Sequence, residues 1–445
     1  MMGRQSGQGA LFYEVRLEER IPRGHLLRRI DATLDLSFVH EVMAPHYAKG
    51  GRPSVDPELL LRMLLVGYLY GVRSERRLCE EVDLNLAYRW FCRLGLDGRV
   101  PDHSTFSKNR HGRLRQSDLM RELFERVVEQ CLAAGLASAE YVAVDGSVVL
   151  ADADHHRHVE AVDALPDHGA SRAVREYLAD LDAAAPDPEG IRRSPPKRIS
   201  LTDPAAAWCA KHGYARFAYA LNAMVDMASG FVLGVEATPA RHADEPLAAR
   251  AIVTRLQDRH AVKPSVLTAD KAYGSATFLA WLDERGVEGH IPVIEHPERR
   301  PKDKLPPEAF RFDEASNTFT CPRGAVLRPT KAYKGNVQYL ASQTDCVPCV
   351  LKPNCTDRPI RTLNRLLNEP ARSRAKARMQ TDAFRRSMRR RQRIERLFAC
   401  IKQHDGLTRL RLRGLRGASE QFLLAATARN LRRLVRHTPS NPVPV

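Results

Sequence analysis

The chain contains no apolar run of about 18 residues, the length a helix needs to cross a bilayer. No charged-then-apolar secretory leader opens it, and its first residues are polar and Gly-rich. These two absences leave a membrane role without support, and the expectation is a cytoplasmic protein associated with the bacterial nucleoid. A phosphate loop of the NTPase kind is also missing. The Gly-rich stretch Arg411-Leu412-Arg413-Gly414-Leu415-Arg416-Gly417 lacks the Gly-Lys-Ser/Thr ending, so no ATP site is legible. Acid is scarce in one region above all. Between 371 and 436 only Asp382, Glu395, Asp405 and Glu420 stand against twenty Lys and Arg, so sixteen of the net +17 charges lie there. Such local positive charge favours a polyanion, through phosphate contacts and counterion release.

What is present is otherwise ordinary. Hydrophobic content of 43% and charged content of 28% fit a globular protein, and 445 residues suffice for two or three domains. Three acids stand out by their settings. Asp145 closes Tyr141-Val142-Ala143-Val144 and precedes Gly146-Ser147, and Asp270 ends Val266-Leu267-Thr268-Ala269 before Lys271-Ala272-Tyr273-Gly274-Ser275. A carboxylate at the end of a buried strand needs a partner, a metal or a turn to cap. Glu395 lies in the basic stretch. At 100° per residue, Arg391 and Lys402 fall about 40° and 20° from it around a helix. Beside that face runs the apolar stripe Ile394, Leu397, Phe398 and Ile401. The charged row reads either as a solvated stripe with i,i+4 pairing or as a metal ligand flanked by phosphate-holding cations.

These residues carry a resemblance. The chain is similar to bacterial insertion-sequence transposases with a DDE catalytic domain, in the branch whose last acid sits in a Tyr, two residues, Arg, three residues, Glu, six residues, Lys signature. Arg391, Glu395 and Lys402 stand at that spacing, and Met388 occupies the Tyr position. Val144-Asp145-Gly146-Ser147 resembles the first acidic motif, and Ala269 to Ser275 the second. The stretch from Arg52 to Arg110, with Pro101-Asp102-His103-Ser104-Thr105-Phe106-Ser107, resembles the family's helical leader. Asp203, in Leu201-Thr202-Asp203-Pro204, is similar to a recurrent family segment but also reads as a turn residue.

The resemblance implies an α+β, mixed fold: an N-terminal all-helical domain, then a ribonuclease-H-like mixed sheet flanked by helices. It implies two Mg²⁺ (or Mn²⁺) ions held by Asp145, Asp270 and Glu395, for strand cleavage and strand transfer by in-line displacement at phosphorus. Arg391 and Lys402 would hold DNA phosphates. The implied partners are double-stranded DNA, both the terminal inverted repeats and the target, with a homodimer in the active complex. The rival readings are a catalytically inactive DNA-binding protein of the same fold and a ribonuclease-H-like nuclease without strand transfer.

Along the chain, residues 1–135 read as a helical N-terminal domain. Its last basic helix, carrying Arg110, is either a DNA reader or part of a dimerising bundle. Residues 136–293 read as the first part of the catalytic sheet, with a Pro- and Ala-rich excursion from Asp163 to Pro196. Residues 294–380 form an insertion, 381–436 the catalytic helix and a basic C-terminal helix, and 437–445 a disordered tail. Arg411 and Arg413 either grip DNA backbone or lie in a solvated loop. The acid and His group Asp152, Asp154, His155, His156 and His158 reads as a surface loop. In the insertion, Cys321, Cys346, Cys349 and Cys355 include one Cys-x2-Cys pair. Structural Zn²⁺, free thiols and redox chemistry all remain open for them.

Overall fold

The structure is a computed structural model that describes residues 14–48, 50–51, 54–160, 171–183, 196, 198–211, 214–293, 303–332 and 335–437. Most of the expected excursion at 163–196, and the tail beyond His437, lie outside the described residues.

The leader folds as its caps dictate. Helix α1 (Pro57–Tyr70) starts where the Asp56 carboxylate accepts the Glu58 amide at 2.7 Å, with Pro57 in the first turn. Eleven of its fourteen residues are buried, as an apolar pattern on all sides requires. The one charge among them, Arg62, is met by Glu58 and Asp31, each at 2.7 Å. Ser74 caps α2 (Glu75–Leu84), Asn85 caps α3 (Leu86–Phe91), and Asp102 caps α4 (His103–Asn109). A π turn at Arg110–Leu114 follows, then α5 (Leu119–Ala133).

The sheet is built on β1 (Tyr141–Leu150) and the long β3 (Tyr214–Asp226), paired antiparallel with Asp145 opposite Ala223. Strands β2 (Ala207–Lys211) and β4 (Val232–Pro239) share the other edge of β3 end to end. On the far side of β1, β5 (Val266–Thr268) and β6 (Glu288–His290) pair in parallel. The antiparallel half needs only tight turns, whereas the parallel half needs helical crossovers. Those are α6 (Glu245–His260) before β5 and α7 (Ala276–Glu284) before β6. The result is the expected mixed α+β architecture.

The insertion carries a five-stranded antiparallel meander: β7 (Arg311–Asp313), β8 (Thr318–Thr320), β9 (Val326–Pro329), β10 (Asn336–Leu340) and β11 (Thr362–Leu366). It has its own small core of Phe310, Leu327, Tyr339, Ala341 and Leu363. Helix α8 (Glu369–Met379) then returns to the main body, where Arg374 and Arg378 pair with Asp283 of α7. It leads into α9 (Asp382–Arg390), α10 (Gln392–Gln403) and α11 (Gly414–His437). One large hydrophobic core joins the leader, the sheet, α10 and α11. No helix among the described residues is long and apolar enough to cross a membrane.

Candidate active site

Asp145 stands midway along β1, after the buried run Val142-Ala143-Val144, and its carboxylate accepts the Gly146 amide at 2.8 Å. Asp270 lies two residues beyond β5, the strand parallel to β1, so the two acids leave neighbouring strands on the same side. Asp270 also caps the short turn Lys271–Tyr273, accepting the Ala272 amide at 2.8 Å. The turn-former reading of this residue is therefore correct, and it coexists with its place beside Asp145. Burial pushes the Asp145 carboxyl above the usual carboxylate range. Arg391 opposes that push, and the negative charge of Asp270 adds to it.

Glu395 enters from α10, which docks through Ile394, Phe398 and Ile401, three of the four residues of the expected stripe. The expected helix is not continuous through Arg391. That residue ends α9 and begins α10, staying in the right-handed region at φ −54 and ψ −25. From this junction its guanidinium reaches both acids, donating to Asp145 Oδ2 at 2.8 Å and to Glu395 Oε1 at 3.0 Å. The sequence suggested that Arg391 holds DNA phosphate. In this structure it is engaged with the protein's own carboxylates, because a half-buried Asp145 favours a nearby cation. Lys402, half-buried, follows on α10. Among the described residues no three His, Cys, Asp or Glu side chains converge as metal ligands. The oxygens suit a hard divalent cation, but the guanidinium stands between two of the three acids.

Two residues near the acids were missed from the sequence. Glu245, at the start of α6, presses on β1: a Cβ on Gly146 would meet its carboxyl at 3.1 Å and the Asn222 Oδ1 at 3.1 Å. Glycine after Asp145 is thus set by this close approach. Tyr273 is fully buried, and its hydroxyl has no hydrogen-bond partner among the described residues. Burial raises its pKa well above the ordinary value, and the carboxylates of Glu245, Asp145 and Asp270 raise it further. The Lys271-Ala272-Tyr273 run was read as motif, but nothing local signals that packing.

The other expected DNA contacts separate. Arg110 is interior, 6% exposed, donating to Glu420 at 2.8 Å and Glu75 at 3.1 Å. The basic look of its helix misled because Glu420 lies far along the chain on α11. Arg413 pairs with Asp152 at 3.0 Å at the surface, and Arg411 is exposed. Asp203 is fully buried and accepts from the Tyr219 hydroxyl at 2.6 Å and the Gly414 amide at 3.1 Å, a strut between β3 and α11.

The four cysteines of the insertion are half-buried free thiols at one end of the small sheet. Cys321 Sγ accepts amide hydrogens from Arg323 and Ala325, both at 3.3 Å. Burial pushes the Cys355 thiol up, against the Arg361 guanidinium, and among the described residues the four do not stand at metal-ligand spacing.

Comparison with known proteins follows the same division. Residues 15–112 match the family described as Transposase domain (DUF772). Residues 187–431, more than half the chain, match the Transposase DDE domain family. That second match contains Asp270 and Glu395, whereas Asp145 precedes it. Among solved structures, the cryo-electron microscopy structure of a piggyBac transposase synaptic complex with hairpin DNA is similar at a TM-score of 0.32 and 10% identity. The similarity covers 92% of this chain and 74% of that one, and a likeness at this level carries no weight. The two family matches, running through the helical leader and from the sheet to α11, establish that the chain belongs to the DDE transposases and is a DNA-binding, DNA-cleaving enzyme of transposition.

Proposed function

We propose that Asp145, Asp270 and Glu395 form the catalytic centre of an insertion-sequence transposase that cuts at terminal inverted repeats and joins the freed 3′ end to target DNA. The observation that carries this is the Arg391 bridge, which draws the acid of α10 onto the acid of β1. Asp270, just past the end of the adjacent parallel strand, would supply the third carboxylate. The chemistry that bound divalent cations, two Mg²⁺ or Mn²⁺, would supply there is activation of the attacking hydroxyl and neutralisation of the leaving 3′ oxygen. Asp145, Asp270 and Glu395 would hold them through their carboxylate oxygens. Arg391 would then exchange its carboxylate partners for a scissile-region phosphate, a swap its planar fork permits. Lys402 would hold a neighbouring phosphate as a point charge. The Tyr273 hydroxyl, buried and without a hydrogen-bond partner among the described residues, would donate to one of the acids and fix its orientation.

We further infer that the insertion is clipped by structural zinc through Cys321, Cys346, Cys349 and Cys355. Amide donation to Cys321 Sγ is the contact that supports a ligand role for this sulfur. The active complex would be a homodimer holding both transposon ends.

The test of the main reading is incubation of the full chain with duplexes ending in the repeats that flank its coding region. Nicking at the repeat boundary with Mg²⁺ or Mn²⁺, and none with chelator, is the expected result. Cleavage that persists in chelator, or repeat duplexes that are bound but never cut, would sink it.

A further inference from the structure

Behind α10, on the side away from Glu395, lies a cleft of about 800 Å³ between α10, α11 and the β3–β4 turn. Its walls carry Arg393, Arg396, Arg429, Arg432, Arg433 and Arg436, with two histidines and no acid. By the 100° rule Arg393 projects nearly opposite to Glu395, and Arg429, Arg432, Arg433 and Arg436 share one face of α11. That face presents its charges over about 10 Å of helix.

The fold accounts for only part of this charge. Arg393 donates to the carbonyls of Met227 and Ala228, and Arg433 to that of Ser229. Arg429 and Arg432 share a single acid, Asp405, at 3.5 Å and 3.2 Å. Arg396 and Arg436 are exposed and make no hydrogen bond or ion pair among the described residues. Burial lowers the Arg433 pKa, and Arg429, Arg436 and Arg393 lower it further, the signature of like charges crowded together. Six guanidiniums lining one cleft, only two of them paired to an acid and that acid outside the lining, are an assembly that an anionic ligand would relieve.

We propose that this cleft is a second DNA site, which grips the sugar-phosphate backbone of a segment of DNA that is not being cut. The inference rests on the transposase reading above. A phosphodiester fits better than a protein surface because guanidinium forks match phosphate oxygens, and the lining offers few apolar side chains for a partner to bury against. Contacts of this kind position DNA without reading its sequence. Placement also suits the task. Arg393 lies two residues from Arg391, so a strand leaving the acids can pass the first turn of α10 and enter the cleft.

The experiment compares the full-length chain with R396A/R436A and R396K/R436K, substitutions at positions that hold nothing in the fold. Binding to a repeat-end duplex and to a random duplex of equal length is measured by fluorescence anisotropy across a salt series. The Ala variant should bind both duplexes more weakly by a similar factor, with a log K against log salt slope shallower by about 1 to 2. The Lys variant, which keeps the charge, should recover most of the slope. A wild-type slope in the Ala variant overturns the proposal, as does an unchanged slope with altered self-association in sedimentation, which would make the cleft a protein interface. Wild-type protein that binds neither duplex overturns the transposase reading as well. Wild-type binding with an unchanged variant overturns the cleft alone.

Discussion

Arg391 Nη1 stands 2.8 Å from Asp145 Oδ2, joining residues 246 positions apart, while its Nη2 stands 3.0 Å from Glu395 Oε1. One guanidinium thus ties the central strand to α10. The pair with Asp145 is largely shielded, with side chains 17% and 16% exposed, whereas Glu395 is 56% exposed. The strong half of the bridge is therefore the one to Asp145, since exposed pairs are screened.

Removing that bridge should cost chemistry more than binding. Single-turnover cleavage by Arg391→Ala at saturating DNA is expected to fall about ten- to a thousandfold, a few kcal/mol of transition-state stabilisation. Arg391→Lys, which keeps charge but not the fork, should lie between. Arg389→Ala, on the exposed part of α9, is the control. Equal rates for Arg391→Ala and Arg389→Ala would reduce the bridge to a structural ornament.

Arg110 should matter to folding rather than to DNA. Its removal leaves Glu420 buried without a partner, which costs about 3–5 kcal/mol. Denaturant unfolding of Arg110→Ala should show that loss, and the salt slope of DNA binding by the folded protein should stay at the wild-type value. A variant of unchanged stability with a shallower slope would put Arg110 on the DNA.

How far the sequence could be read differs by kind of residue. Caps were legible because Asp56, Ser74 and Asp102 act on amides two or three positions away. The strand acid Asp145 and the docking stripe of α10 were legible because alternation and helical period are local. Arg110 was misread because its carboxylates come from α2 and α11. Glu245 and Tyr273 were invisible for the same reason, as only the folded sheet brings them to Asp145. The break at Arg391 was missed because both flanking helices keep right-handed angles through the junction, leaving no Gly or Pro to mark it.

Stability should carry a pH signature from Asp203. Burial raises this carboxyl from 3.8 to about 6, and its Oδ2 has no partner among the described residues, the natural place for a proton. The folded state then holds the proton more tightly than the unfolded chain. Stability from this group is full below about pH 4 and is lost as pH rises towards 6. Asp203→Asn keeps the oxygen that accepts from Tyr219 and Gly414 but cannot ionise. Its stability relative to wild type should therefore rise between pH 4 and 6, by on the order of 2–3 kcal/mol, and stay flat above. Unfolding curves giving a pH-independent difference would contradict this.

The cysteine cluster makes a compositional prediction. Protein purified without chelator should carry about one zinc per chain, and chelation should unfold the small sheet while the main sheet persists. Elemental analysis finding no zinc would leave the four residues as free thiols.

The most direct measurement is single-turnover cleavage of a repeat-end duplex by Asp145→Ala, Asp270→Ala and Glu395→Ala, with binding measured on the same preparations. Each substitution should abolish cleavage and leave affinity for the duplex within a few-fold of wild type, because on the proposed reading the three acids would serve only the scissile phosphate and the rest of the DNA would be held elsewhere. Metal-dependent cleavage at the wild-type rate in any one of the three would remove that residue from the centre and contradict the account.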